Sequence, residues 1–316
     1  MPVALEASTV RLLNMAAGLS GDPGSDGGID RLRAQDETAQ SHWDVPQVDV
    51  WKEEQRSIDS PHGEITVRLY WPVAAQSSKS LCLLVAYHGG GWVMGSLGTY
   101  DNFCRYLCKY GNAIIISVDY RLAPEHRFPA AVDDSYAALN WVAGNALALG
   151  GDVSRLCVGG DSAGGNLAAV MCRLASMNKG PEISRQLLFY PCLAMYDNHG
   201  YVSRREYGAG DYGLSDAQLL NCRDLYAGSE ADYRDIRLSP ILAESFAGLP
   251  AALIIMPEYD PLRDEGEDYA ARLEDAGVAV EYRLYPGVVH GFMSQSGVVG
   301  VGLEALNDAA AYLRRA

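Results

Sequence analysis

The sequence predicts an α/β fold: a mostly parallel, eight-stranded sheet flanked by helices. Three observations predict it. From residue 81 onward, short strand-like runs alternate with longer helical ones, the pattern of a parallel sheet covered on both faces. Runs 81–87 and 113–118 are continuously apolar, as expected of strands buried on both sides. Gly160-Asp161-Ser162-Ala163-Gly164-Gly165 joins a strand-like run, 155–159, to a helix-like run rich in Ala, Leu and Met, 166–176. Small residues around a serine let the backbone fold sharply there, which exposes the hydroxyl at the carboxyl edge of the sheet.

The elements follow in order. Apolar residues at helical spacing predict a helix over 3–18, broken by the glycines and aspartates of 21–28, and a short second helix over 29–39. Both precede any strand signal, so they read as an addition to the core. Alternation over 45–58 and 64–71, with Pro61-His62-Gly63 as the turn, predicts an antiparallel entry to the sheet. After strand 81–87 comes a helix over 100–110 ending at Gly111, then strand 113–118. A long helix over 128–149 follows, with Pro129 in its first turn. Strand 186–190 closes at Pro191. Residues 193–237, rich in Tyr, Gly and Asp, interrupt the alternation and contain one helix, 215–226. A segment of that length inside an α/β core is read as a lid or binding insert. Strand 251–256, helix 262–276, strand 278–284 and helix 302–315 complete the core.

A chain of 316 residues with 48% hydrophobic content can bury a substantial core. Its formal charge of −15 argues against nucleic acid or an anionic membrane surface as partner. The seven cysteines are odd in number and mostly in apolar surroundings, which fits buried thiols in a reducing cytoplasm. Cys104 and Cys108 are four apart, but no second pair completes a zinc set, and no metal is expected. The first 19 residues lack a basic start and a sustained apolar run, so they are not read as a secretory signal. No run approaches the length of a membrane span.

Ser162 is the candidate nucleophile. His88-Gly89-Gly90-Gly91-Trp92 follows strand 81–87 directly, and its glycines can bring backbone N–H groups close to a reacting carbonyl. Gly89, Gly90 and Ala163 are the expected oxyanion donors. His88 is read as shaping that loop. Of six histidines, His290 is the candidate base, because it lies beyond strand 278–284 and the turn Tyr285-Pro286-Gly287, with Gly291 giving it room. Asp260, after strand 251–256, is the candidate carboxylate, with Glu258 competing. Asp264 and Glu265 lie on the next helix, where acidic side chains suit the positive N-terminal dipole. The order Ser162, Asp260, His290 is that of α/β-hydrolases.

With these residues in view, the chain resembles the hormone-sensitive-lipase-like α/β-hydrolases, the bacterial family IV esterases. The matching blocks are His88-Gly-Gly-Gly-Trp92, Asp119-Tyr-Arg-Leu-Ala-Pro-Glu-His126, Phe128-Pro-Ala-Ala131, Gly160-Asp-Ser-Ala-Gly-Gly-Asn-Leu167, Asp260-Pro-Leu-Arg-Asp-Glu-Gly266 and His290-Gly-Phe292. The resemblance implies a Ser162–Asp260–His290 triad and the oxyanion donors named above. It also implies a helical cap from residues 1–45 and 193–230, around core segments 46–192 and 231–316. The expected activity is hydrolysis of short- to medium-chain acyl esters through an acyl-enzyme, with a small-molecule ester as partner and no cofactor. The same triad would equally serve a deacetylase, amidase or lactonase. A ligand-binding receptor on this fold is disfavoured because all three triad residues are present, and a lipase because no long apolar lid is seen. Trp92, Leu214 and Phe292 are candidate pocket residues, and Tyr201, Tyr207 and Tyr212 are read as pocket or cap packing. Family members often dimerise through the last strand and helix, here about 278–315, which leaves a homodimer open.

Overall fold

The computed structural model describes residues 4–16, 28–77, 80–196 and 200–316. The glycine-rich stretch before Gly28 and His199 lie outside the described residues. In chain order the elements are α1 (Ala7–Ala16), α2 (Gly28–Trp43), β1 (Lys52–Ser60), β2 (Gly63–Trp71), β3 (Leu81–Tyr87), α3 (Asp101–Gly111), β4 (Ala113–Asp119), α4 (Ala130–Leu149) and β5 (Gly151–Asp161). They continue with α5 (Ala163–Asn178), β6 (Arg185–Phe189), α6 (Val202–Tyr207), α7 (Asp216–Tyr226), α8 (Glu230–Tyr233), β7 (Ala251–Tyr259), α9 (Arg263–Asp275), β8 (Val280–Val289) and α10 (Val301–Arg314). This is the α/β-hydrolase architecture. Eight strands form one sheet in the order β1-β2-β4-β3-β5-β6-β7-β8. Pairing is antiparallel at β1–β2 and β2–β4 and parallel from there on. Among the described residues no helix is long and apolar enough to cross a membrane.

The strands β3 and β4 are mostly apolar because both of their faces are covered. β3 is buried along its whole length and β4 along all but its last residue. β2 alternates instead, with Ile65, Val67 and Leu69 turned inward. The helices α3 and α10 pack together, as do α4 and α5, and the two pairs flank the sheet. Their ends follow local chemistry. Asn112 and Gly150 cap α3 and α4 in the left-handed region, at φ +51° and +88°.

Several boundaries differ from the sequence expectation. The first strand begins at Lys52, not residue 45, because its partner β2 ends at Trp71, whose carbonyl takes the Trp51 N–H at 3.0 Å as the last contact of the ladder. β8 runs through Tyr285-Pro286-Gly287, which reads in sequence as a turn. Pro257 pairs with Tyr285 and Tyr259 with Val289, so extra residues of β8 loop out as a bulge. Gly287 takes φ +71° there. Its N–H donates to Glu258 Oε2 at 2.9 Å, and its carbonyl accepts from the Glu6 N–H at 2.9 Å. The insert holds the short helices α6 and α8 besides α7, which starts on a reciprocal cap between Ser215 and Gln218.

Candidate active site

Ser162 occupies the hinge between β5 and α5 at φ +52°, a left-handed conformation that a side chain adopts only when its surroundings impose it. Its N–H donates to Phe189 O at 2.9 Å, and its carbonyl accepts from Asn166 N at 3.0 Å and Cys192 N at 3.2 Å. Gly160 and Gly164 flank the turn. A β-carbon on either would collide with the Tyr87 carbonyl of the neighbouring strand, so β5 and α5 can approach β3 only with glycine at both positions.

Three strand ends meet at this hinge. His290 Nε2 lies 3.0 Å from Ser162 Oγ. His290 Nδ1 lies 2.8 Å from Asp260 Oδ2. Asp260 is completely buried, and its other oxygen accepts the Leu262 N–H at 2.8 Å. A carboxylate can accept from imidazole Nδ1–H only, which leaves Nε2 as the acceptor facing the serine. The ring of Tyr190 meets that of His290 edge-on at 4.8 Å and limits its rotation. Glu258, the competing carboxylate, is engaged by Gly287 of the bulge.

The glycine loop after β3 forms the second wall. His88 is buried, stacks on Tyr120 at 4.3 Å, and places Nδ1 2.8 Å from Gly89 O. Burial pushes its pKa down to about 4, so the ring is neutral, with Nδ1–H donating to that carbonyl. It shapes the loop, as its sequence position suggests. Gly90, Gly91 and Trp92 follow with φ of +108°, +60° and +62°. Gly90 and Gly91 line the cavity above Ser162, as does Ala163. Gly89 does not. It faces the buried carboxyl of Asp161, whose charged form its N–H favours. The Gly89 N–H, expected from the sequence to face a reacting carbonyl, is thus turned to Asp161, because periodicity cannot tell which peptide of a glycine run turns outward.

The cavity encloses about 360 Å³. Leu12 and Leu13 of α1, Leu32 of α2, and Leu214 and Leu219 around α7 supply apolar walls. Trp92 and Leu214 are among its lining residues. Phe292 is not among the lining residues. It is fully buried against Tyr190 and Tyr285, because Gly291 at φ +80° turns the chain away from the cavity after His290. Tyr207 and Tyr212 instead cluster with Tyr259, and Tyr201 donates to Asp268 at 2.7 Å, which packs the 193–237 insert onto β7 and α9.

Two anchors were not legible in the sequence. Arg33 of α2 donates to Val93 O at 2.9 Å and Ala123 O at 3.0 Å and pairs with both oxygens of Glu125 at 2.8 Å. It ties the N-terminal helices to the glycine loop. Asp264 and Glu265 do more than meet a helix dipole. Asp264 accepts the Ser203 N–H at 2.9 Å, while Glu265 accepts from Leu193 N at 2.6 Å and from Arg204 at 3.0 Å, fastening the 193–237 insert to α9. Any signal for these would have been long-range pairing, which spacing along one sequence does not carry.

The sheet order and the serine hinge at its centre define an α/β-hydrolase. A family model described as the alpha/beta hydrolase fold, Abhydrolase_3, matches residues 84–294. The chain belongs to this family, the hormone-sensitive-lipase-like α/β-hydrolases. It is 43% identical over 254 residues to Carboxylesterase NlhH of Mycobacterium tuberculosis, covering 80% of this chain and 79% of that one. It is 39% identical over 260 residues to Esterase LipI of the same organism, covering 82% and 80%. The solved structure of a hyperthermophilic esterase from the archaeon Pyrobaculum calidifontis superposes with a TM-score of 0.91 at 36% identity, covering 99% of both chains.

Proposed function

We propose that this protein is a carboxylic ester hydrolase that cleaves short- to medium-chain acyl esters through an acyl-enzyme. The observation that carries the reading is the continuous line Asp260–His290–Ser162, at 2.8 and 3.0 Å, on the floor of an apolar cavity. His290 Nε2 takes the Ser162 proton as Oγ attacks the ester carbonyl. Asp260 holds the tautomer and balances the imidazolium. The N–H groups of Gly90, Gly91 and Ala163 receive the oxyanion, with Gly91 replacing Gly89 in the set. His290 then protonates the leaving alkoxide, and water repeats the sequence to release the acid. The names of the relatives, a carboxylesterase and an esterase, favour the same reaction.

The described residues of 1–45 and 193–230 form the cap in this reading, because their leucines wall the cavity over the described residues of the core segments 46–192 and 231–316. A reducing cytoplasm fits seven free thiols, six of them buried. A homodimer through the edge strand β8 and α10 follows from the resemblance alone, and sedimentation would test it.

The test of the reaction is a series of p-nitrophenyl esters from acetate to palmitate, with Ser162→Ala alongside. Rapid turnover of the short esters, abolished in the variant, is the expected result. Preference for palmitate would overturn the chain-length assignment. Inactivity on every ester, or a fully active variant, would overturn the ester-hydrolase reading.

A further inference from the structure

Two side chains beside the serine take no part in the chemistry above. Asp161 precedes Ser162 at the end of β5 and is only 4% exposed. A buried carboxylate persists only when its oxygens are satisfied. The Tyr100 hydroxyl, at the start of α3, donates to Oδ2 at 2.8 Å. The Gly89 N–H faces the same carboxyl, and a β-carbon on Gly89 would stand 2.6 Å from Oδ2 and 2.7 Å from the Tyr100 hydroxyl.

The Gly89 peptides are therefore held at both ends. The N–H meets Asp161, and the carbonyl accepts from His88 Nδ1 at 2.8 Å. His88 is itself fixed by Tyr120, which stacks on its ring and donates to its carbonyl at 2.6 Å. Beyond Gly89 come two glycines, which alone would sample many conformations. Among the described residues neither the Gly90 nor the Gly91 N–H has a protein acceptor. Past Gly89 the loop is held by the turn that Val93 and Met94 close onto Gly90 O, at 3.1 and 2.9 Å, by the Ala123 N–H on Trp92 O at 2.9 Å, and by Arg33 on Val93 O at 2.9 Å. Pinning Gly89 fixes where that turn begins.

We propose that Asp161 and Tyr100 are positioning residues: together they clamp the Gly89 amide beneath the loop, so that the Gly90 and Gly91 amides point at the oxyanion. A carboxylate suits this task because a hydrogen bond from N–H to an ionised acceptor is stronger than one to a neutral acceptor. The inference rests on the ester-hydrolase reading, since the clamp acts only through the proposed oxyanion donors.

The test measures kcat and KM on p-nitrophenyl butyrate, and the inhibition constant of an alkyl trifluoromethyl ketone that forms a hemiketal with Ser162. It compares the parent with Ser162→Ala, Asp161→Ala, Asp161→Asn and Tyr100→Phe in the full chain. Removing one oxyanion donor typically costs about 100- to 1,000-fold, so misaligning the donors in Asp161→Ala is expected to lower kcat by roughly 10- to 100-fold. KM should stay within about threefold, and ketone affinity should fall in parallel with kcat. Asp161→Asn keeps an acceptor oxygen and should recover to within about tenfold of the parent, and Tyr100→Phe should lose roughly three- to tenfold in kcat. An Asp161→Ala kcat within about threefold of the parent, or a loss carried by KM with ketone affinity unchanged, overturns the clamp. Should Asp161→Ala not fold, Tyr100→Phe decides by the same two readouts. An inactive parent overturns the ester-hydrolase reading, whereas an active parent with unaffected variants overturns the clamp alone.

Discussion

Glu265 of α9 holds Arg204 of α6 at 3.0 Å, and neither side chain reaches solvent appreciably. Burial pushes the Glu265 pKa up, while Arg204 and the Leu193 and Ala194 N–H groups favour its charged form. Arg204 passes the charge on to Asp216 of α7 at 2.9 Å. Glu265 thus joins Asp264 and Asp268 in fastening the insert that walls the cavity to the core.

Breaking a buried pair strands a charge, which typically costs about 3–5 kcal/mol. Glu265→Ala should lower the unfolding free energy by that amount in a urea titration, and ester turnover should fall as the α7 wall loosens. A midpoint indistinguishable from the parent would show that the pair does not anchor the insert.

The two carboxylates that follow β7 should separate cleanly. Asp260→Asn favours the wrong imidazole tautomer and should reduce kcat by about 10³- to 10⁴-fold. Glu258→Gln alters the contact with the bulge at Gly287 and should keep kcat within about tenfold. Steady-state kinetics of the pair checks this, and the reverse ranking would move the third triad position to Glu258.

Acid stability should expose Asp161. Burial raises its pKa to about 6 from an unfolded value of 3.8, so the native state holds more protons between those values. Stability from this group therefore rises as pH falls through that window, by up to about 3 kcal/mol. His88 opposes it. Its native pKa of about 4 lies below the unfolded 6.5, so the unfolded state binds protons first and stability drops as pH falls from about 6.5 to about 4. In Asp161→Asn only the opposing contribution remains. Its Tm should decline more steeply than the parent's between pH 7 and pH 5, and parallel Tm–pH curves would contradict the assignment.

Cavity volume should set chain length. Leu214 lines the wall, so Leu214→Trp would fill part of the roughly 360 Å³ cavity. Turnover of octanoyl esters should fall at least about tenfold relative to acetyl esters, since each excluded methylene forfeits about 0.8 kcal/mol of burial. An unchanged ratio of kcat/KM for the two esters would place the acyl chain elsewhere.

Strand existence and strand order of use were legible from local pattern. The apolar runs of β3, β4 and β7 announce burial on both faces, and each candidate reactive residue lies just past a strand: Ser162 after β5, Asp260 after β7, His290 after β8. The glycines of 160–165 announce a hinge because their reason is local, the close approach of one backbone to another. Short elements such as α6 carry too few residues for a period to appear, and they exist because Ser203 is held by Asp264 and Pro261.

What the sequence by itself determined was therefore the set of elements and the residue types placed at strand ends, since those depend on periodicity and on steric freedom within a few residues. What only the tertiary structure decided was which neighbour does what. The bulge in β8 occupies Glu258 and leaves Asp260 to meet His290. Asp161 and Tyr100 draw Gly89 downward and leave Gly91 facing the cavity. Arg33 and Glu265 bring distant helices over the serine. Each of these depends on hydrogen bonds between residues 29 to 92 positions apart, and such pairing is fixed by packing, which spacing along the chain does not encode.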